Sequence, residues 1–263
     1  MTNPLTDTPP DRVLAAGDWH GNMTRAYGVI QSAGIRDIPV VLQLGDFGFW
    51  TPGADTDAYL DTVEKACAEF DVTLLWVDGN HECFPALYSL PLNEIGVRPI
   101  REHIHHLPRG FRWNWHGRTW MALGGAHSVD KHMRKPGRSW WPEEFLSDAD
   151  IDLAIAGGPV DIIAAHDCPD RVAIPGLAPD GFFPAEQIVY AEAHRWMVGQ
   201  VVDATQPGVF LHGHYHVRYN AVRDLPGGGQ TAIVGLGDDS GSTRNNVQLL
   251  NLARPGDTGS PLF

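Results

Sequence analysis

Five short apolar runs in this chain, residues 13–16, 40–44, 73–77, 161–165 and 209–211, each end within three residues of an aspartate, an asparagine or a histidine. Runs of this length, bounded by glycine-rich turns, read as buried strands. Between the first three lie stretches with helical spacing, residues 24–33 and 55–70, the second carrying Leu60, Val63, Cys67 and Phe70 on one side. Strands that alternate with helices imply parallel βαβ units. In such sheets the functional groups collect beyond the carboxyl ends of the strands, so polar residues far apart in sequence are expected to converge.

The rest of the chain extends that pattern. Residues 104–123 read as strands carrying His105, His106, Trp113, Trp115 and Trp120, followed by a loop-like excursion over 124–144. Helices are expected over 147–156 and 185–202, and closing strands near 218–222, 231–235 and 246–252. No internal repeat or linker splits the chain. We therefore expect one domain over residues 13–253, with flexible tails at 1–12 and 254–263.

Composition narrows the partners. Of the 263 residues 43% are hydrophobic, enough for a sizeable core, and the net charge is −13. No long basic run is present, so binding to nucleic acid is not expected. An acidic chain can still take a phosphate if bound cations supply positive charge. Cys67, Cys83 and Cys168 are odd in number and form no C-x-x-C, which argues against a disulfide framework and for a reducing compartment. The first residues lack the charged start and apolar run of a signal peptide, and no run is long enough to span a bilayer. A cytoplasmic protein that does not enter membranes is the expectation; the oligomeric state is left open.

The residues at the strand ends suit metal chemistry. Asp18 and His20 alternate on one side of an extended turn. Asp46 lies at the next strand end, Asn80 offers a neutral oxygen with His81 following it, His166 comes from a later strand, and His214 and His216 repeat the alternate spacing. Hydrolysis of a phosphate ester needs an activated water and relief of charge on phosphate oxygens. Two divalent ions about 3.5–4 Å apart supply both. Taken singly, Asp18 or Asp46 would serve as a helix cap and Asn80 as a turn residue.

Taken together, the series resembles the calcineurin-like metallophosphoesterases. Their motif series runs D-x-H, G-D, G-N-H-[DE], a lone His and G-H-x-H. Here it reads Gly17-Asp18-Trp19-His20-Gly21, Gly45-Asp46, Gly79-Asn80-His81-Glu82, His166 and Gly213-His214-Tyr215-His216, all in order. The resemblance implies an α/β fold of two facing mixed β-sheets flanked by helices. It implies that Asp18, His20 and His216 hold one metal, that Asn80, His166 and His214 hold a second, and that Asp46 bridges them. His81 would stand near the leaving-group oxygen without binding metal. Ligands of this mix suit manganese, and equally iron, zinc, cobalt or nickel.

The implied function is hydrolysis of a small phosphoester by a metal-activated water, with phosphodiesters such as cyclic nucleotides as the leading substrate. The alternatives are a phosphomonoesterase or protein phosphatase, a nuclease, and a non-catalytic scaffold. The phosphatase form Gly-Asp-x-x-Asp-Arg-Gly is missing, since the second block continues Phe47-Gly48-Phe49-Trp50. The excursion is similar to a stretch in bacterial and phage members of the family. We expect it to wall the site, with Arg134 or Arg138 touching phosphate and Trp140 or Trp141 stacking on a base. His103, His105, His106 and His116 are read as surface or packing residues, His212 as a group behind the ligands, and His194 as lying on the polar face of its helix.

Overall fold

The computed structural model describes residues 5–252; the first four residues and the expected tail at 254–263 lie outside the described residues. Two six-stranded sheets face one another. The first contains β1 (Arg12–Ala16), β2 (Val40–Gln43), β3 (Thr73–Trp76), β4 (Arg98–Pro99) and β5 (Ile104–His106), closed by β12 (Val247–Asn251), in the order β12-β1-β2-β3-β5-β4. The second contains β6 (Arg112–Trp115), β7 (Arg118–Leu123), β8 (Ile162–Ala165), β9 (Val209–His212), β10 (Tyr219–Asp224) and β11 (Gln230–Gly235), in the order β10-β11-β9-β8-β7-β6. Interior pairings are parallel and the outermost pairing on each edge is antiparallel.

Strand alternation sorts the apolar side chains into layers. Val13 and Ala15 of β1 point inward with Val40, Leu42 and Leu75, against Trp113, Trp115, Trp120, Ile162, Ala164 and Leu211 of the second sheet. Leu14 and Ala16 point the other way, against Val29 and Ile30 of α1 (Met23–Ile35) and Leu60 and Val63 of α2 (Ala54–Phe70). On the far side, Met121, Ile163 and Phe210 pack on Ile151 of α4 (Asp148–Ala156) and on Val198, Val201 and Val202 of α5 (Ala185–Thr205). The result is helix, sheet, sheet, helix, as the resemblance implies. Both α1 and α4 begin at side-chain caps: Asn22 accepts from the Arg25 amide, and Ser147 and Asp150 form a reciprocal box.

Two short helices, α3 (Phe84–Ser89) and α6 (Thr243–Asn246), and the two-residue β4 were not expected. Pro85 in the first turn of α3 and lengths of two to six residues leave too little periodicity to read. The stretch before β1 lies on the body, with Leu5 packed on the inner core and Pro10 buried. No helix among the described residues is long and apolar enough to cross a membrane.

Candidate metal centre

The carboxyl ends of β1, β2 and β3 in one sheet, and of β8 and β9 in the other, deliver the expected residues to one place. The chain turns sharply there. His20, Asp46, His214 and His216 hold left-handed φ values of 44°, 51°, 67° and 57°, each costing on the order of 1–3 kcal/mol that surrounding contacts must offset. The motif glycines permit the close approach: a Cβ on Gly45 would fall 2.3 Å from His166 Nδ1, and one on Gly213 would fall 2.1 Å from Asp18 Oδ1. Glu82 ties two of these turns together, accepting from the amides of Phe47 and Gly79 at 2.8 Å each.

Asp46 sits at the middle. Its Oδ1 accepts from the Asn80 and His81 amides at 2.9 Å each and lies 3.5 Å from His166 Nε2. Its Oδ2 lies 3.4 Å from His20 Nε2 and 3.7 Å from His81 Nε2. One oxygen thus faces the His166 and Asn80 side and the other the His20 side, the disposition a bridging carboxylate needs. Asp18 Oδ2 lies 3.1 Å from His216 Nε2, and Asp18 Oδ1 accepts from the His214 amide at 3.0 Å. At this centre, three sets of donor atoms among the described residues are close enough to share an ion: Asp18, His20 and His216; His20, Asp46 and His81; and Asp18, Asp46 and His166. The floor of Asp18, Asp46, Asn80 and His166 is buried. The rim is open, with the His20, His81 and His216 side chains 23%, 30% and 46% exposed. The imidazole of His214 stands beside that of His166, centroids 5.0 Å apart, with its nitrogens in none of the three sets.

The tautomers show that this donor set fits a cation. His166 Nδ1 donates to the Leu44 carbonyl at 2.7 Å, so a neutral ring has its lone pair on Nε2. That nitrogen lies 3.1 Å from the Asn80 Oδ1 oxygen. Two lone pairs that close repel unless a proton or a metal lies between them. His20 repeats the arrangement: its Nδ1 is held by Asp239 at 2.9 Å while Nε2 faces Asp46. In His216, Nδ1 lies 3.4 Å from Asp238 while Nε2 faces Asp18. Holding Nδ1 with an acceptor is how proteins aim Nε2 at a metal. The electrostatics agree. Burial would lower the His166 and His20 imidazoles, but the Asp46 and Asp18 carboxylates outweigh it and hold both at about 10. Burial would raise Asp46, yet His81, His166 and His20 keep it well below the usual carboxylate range. His214, without such a carboxylate at its nitrogen, is pushed by burial to about 3.

His81 is placed differently from the other histidines. The Arg134 guanidinium lies against its ring, Nη1 3.0 Å from Nδ1 and Nη2 2.5 Å from Nε2. Asp130 grips Arg134 through Nε at 2.7 Å and Nη2 at 2.9 Å. Burial lowers the His81 imidazole, and Arg134 adds to that against the pull of Asp46. Of the other residues expected at the wall, Arg138 is exposed and its carbonyl accepts from Thr51, while Trp140 lies under the Lys131 ammonium at 4.1 Å. Trp141 is buried against Cys83 and Phe84, so its face is closed to a substrate. Trp50, exposed by 40%, lies so close to Gly21 that a Cβ there would meet its ring at 2.7 Å.

Sequence reasoning missed Asp238 and Asp239, although Gly237-Asp238-Asp239 follows the strand at 231–235 and forms one more acidic strand end. It also misplaced His194. That residue is fully buried and pairs with Asp167 at 2.6 Å, where Tyr215 donates to the same carboxylate. The helix hides Gln187 and His194 while exposing Ile188, Val189 and Trp196, the reverse of ordinary amphipathic order.

A fold of facing mixed sheets with a carboxylate-histidine cluster at the strand ends defines a metallohydrolase architecture. The calcineurin-like phosphoesterase family model matches residues 11–218, most of the chain, and the chain belongs to that family. No curated protein matches it in sequence. Among solved structures it is similar to TT1561 of Thermus thermophilus, with 12% identity, a TM-score of 0.52, and 92% of this chain and 99% of that one covered. It is also similar to a dimetal phosphatase from Danio rerio, with 15% identity, a TM-score of 0.53, and coverage of 92% and 93%. At these identities the likeness is one of fold.

Proposed function

We propose that the protein is a dinuclear metal-dependent phosphodiesterase acting on small nucleotide substrates such as cyclic nucleotides, in a reducing cytoplasm where its three buried cysteines stay free. The observation that carries the reading is the position of Asp46, whose two oxygens face two separate groups of nitrogen and oxygen donors. Asp18, His20 and His216 would hold one ion and Asn80, His166 and His214 the other, with manganese the first metal to try. When bound, such ions activate a water and polarise a phosphoryl oxygen.

The chain's own residues supply the rest. Arg134, held by Asp130, places a fixed positive charge beside the centre, suited to the single charge of a diester. His81 lies on the same side, where a leaving oxygen gains charge. Trp50, half-exposed against the Gly21 turn, offers an aromatic face for a base. The test is reconstitution of metal-free protein with manganese, followed by rates on a nitrophenyl diester, a nitrophenyl monoester and cyclic AMP. The proposal requires kcat/KM for the diesters to exceed that for the monoester at least tenfold. The reverse ratio makes the protein a phosphomonoesterase.

A further inference from the structure

An amide presents an oxygen on one side and an NH2 group on the other, and only the oxygen can bind a metal. Asn80 lies in the floor of the site, 3% exposed, with its backbone fixed by the hydrogen bond its N–H donates to Asp46 Oδ1. What remains free is rotation of its side-chain amide, which decides whether oxygen or nitrogen faces His166.

We propose that Ser128 and Glu144 are positioning residues that set this rotation, through a directed chain of hydrogen bonds ending on the Asn80 amide. The inference rests on Asn80 being a metal ligand. Glu144 Oε1 accepts from the Ser128 amide at 3.0 Å, and Oε2 accepts from the Ser128 hydroxyl at 2.6 Å. Once ionised, above about pH 7, the Glu144 carboxylate accepts only, so there the hydroxyl hydrogen is committed to Glu144. The Ser128 oxygen is left to accept, and Asn80 Nδ2 donates to it at 2.9 Å. The NH2 group is thereby turned to Ser128 and the oxygen to His166 Nε2, 3.1 Å away. Ser128 and Glu144 are each 1% exposed, so water does not substitute for either partner.

The far end of the chain is anchored. The Glu144 carbonyl accepts from the Ala126 amide at 3.1 Å and from Arg109 Nη2 at 3.3 Å. Arg109 is itself paired with Asp78 at 2.7 Å, at the foot of the Asn80 turn. The excursion is thus clasped to the strand end whose ligand it orients.

The decisive variant is Glu144→Gln, which keeps shape and reverses polarity. The Ser128 amide still requires an acceptor, so the oxygen of the introduced amide must face it and the introduced NH2 must face the hydroxyl. The hydroxyl then turns its hydrogen to Asn80, which must answer with its oxygen and present nitrogen to the metal. Metal-free protein is titrated with manganese in a calorimeter, and bound ions are counted by elemental analysis. Wild type should take two. Glu144→Gln should keep one ion and bind the other about 10–100-fold more weakly, the usual loss when a ligand's outer partner fails. Asn80→Asp in that background should restore the second ion, because a carboxylate accepts on both sides. In the wild-type background the same change sets the Ser128 oxygen against a second acceptor and should weaken the second ion. Ser128→Ala removes the link by one oxygen and should weaken the second ion about tenfold; it serves if Glu144→Gln does not fold. Wild-type affinity for both ions in Glu144→Gln or in Ser128→Ala overturns the inference. So does a loss that Asn80→Asp fails to repair. Fewer than two ions on wild type overturns the metal reading itself, and the inference with it.

Discussion

The strand-end cradle and the 124–144 excursion reach the same centre by opposite means. In the cradle, backbone geometry positions the side chains: four left-handed residues, glycines without room for a Cβ, and amides bonded to Asp18 and Asp46. In the excursion, side chains position other side chains: Asp130 holds Arg134 against His81, and Glu144 holds Ser128 against Asn80. On the proposed reading the cradle determines whether ions can be held at all. The excursion aims Asn80 through Ser128 and braces His81 with Arg134.

The sharpest way to break this division is to change one residue on each side. Asp46→Ala should lose both ions and activity together, a larger effect than any excursion variant, since two cations would be left without the carboxylate between them. Full metal content in that variant, measured by elemental analysis, would show that Asp46 is not the bridge. His81→Ala and Arg134→Ala should keep both ions. Each should slow hydrolysis by about 10²–10⁴-fold on diesters with poor leaving groups such as nucleosides, and less on nitrophenyl esters, which need little help in departing. Equal losses on both ester types would assign the pair to positioning. Loss of an ion on His81→Ala would move His81 into the cradle.

The same division explains what can be read from sequence. The convergence of Asp18, His20, Asp46, Asn80, His166, His214 and His216 is legible because each stands at the end of an apolar run, and local spacing carries that signal. The runs themselves mark the strands, and the resemblance carried by the residues at their ends supplies the facing of the two sheets. Arg134 against His81 spans 53 residues and Glu144 against Ser128 depends on a loop with no period, so nothing local announces either pairing. Trp141 reads as a ring free to stack on a base because nothing near it in the chain signals that it packs against Cys83 and Phe84. His194 misleads for the opposite reason. Its helix has exposed apolar residues, so reading polarity from composition inverts the buried face.

A smaller effect concerns pH. Burial pushes the Glu144 carboxyl up from its ordinary 4.5 to about 7, against the Ser128 donors that pull it down. The surrounding charges are His127, whose Nδ1 is 3.7 Å from Oε1, and Arg134. The folded state therefore holds this proton more tightly than the unfolded chain does. Its contribution to stability is full below about 4.5, shrinks as pH rises and is gone above about 7. In metal-free protein, the stability of wild type relative to Glu144→Gln should accordingly fall between pH 5 and pH 8, as read from urea midpoints. A difference that stays flat or rises would place the carboxyl in its ordinary range.

The last contrast separates two tryptophans that composition alone treats alike. Trp141 is 7% exposed and Trp50 is 40% exposed. Trp141→Ala empties a packed site and should cost about 3–5 kcal/mol of stability, lowering rates on nucleotide and nitrophenyl diesters to the same degree. Trp50→Ala removes a half-exposed ring and should leave the urea midpoint nearly unchanged. If a base stacks on that ring, the loss falls on KM for cyclic nucleotides alone, by the equivalent of about 1–3 kcal/mol, with kcat and the nitrophenyl rates preserved. The paired measurement is the ratio of KM for cyclic AMP to KM for the nitrophenyl diester in each variant. A ratio that moves with Trp141 and not with Trp50 would transfer substrate choice from the cradle's rim to the excursion. A ratio that moves with neither would remove the base from the contacts and leave the phosphate as the whole of what the site recognises.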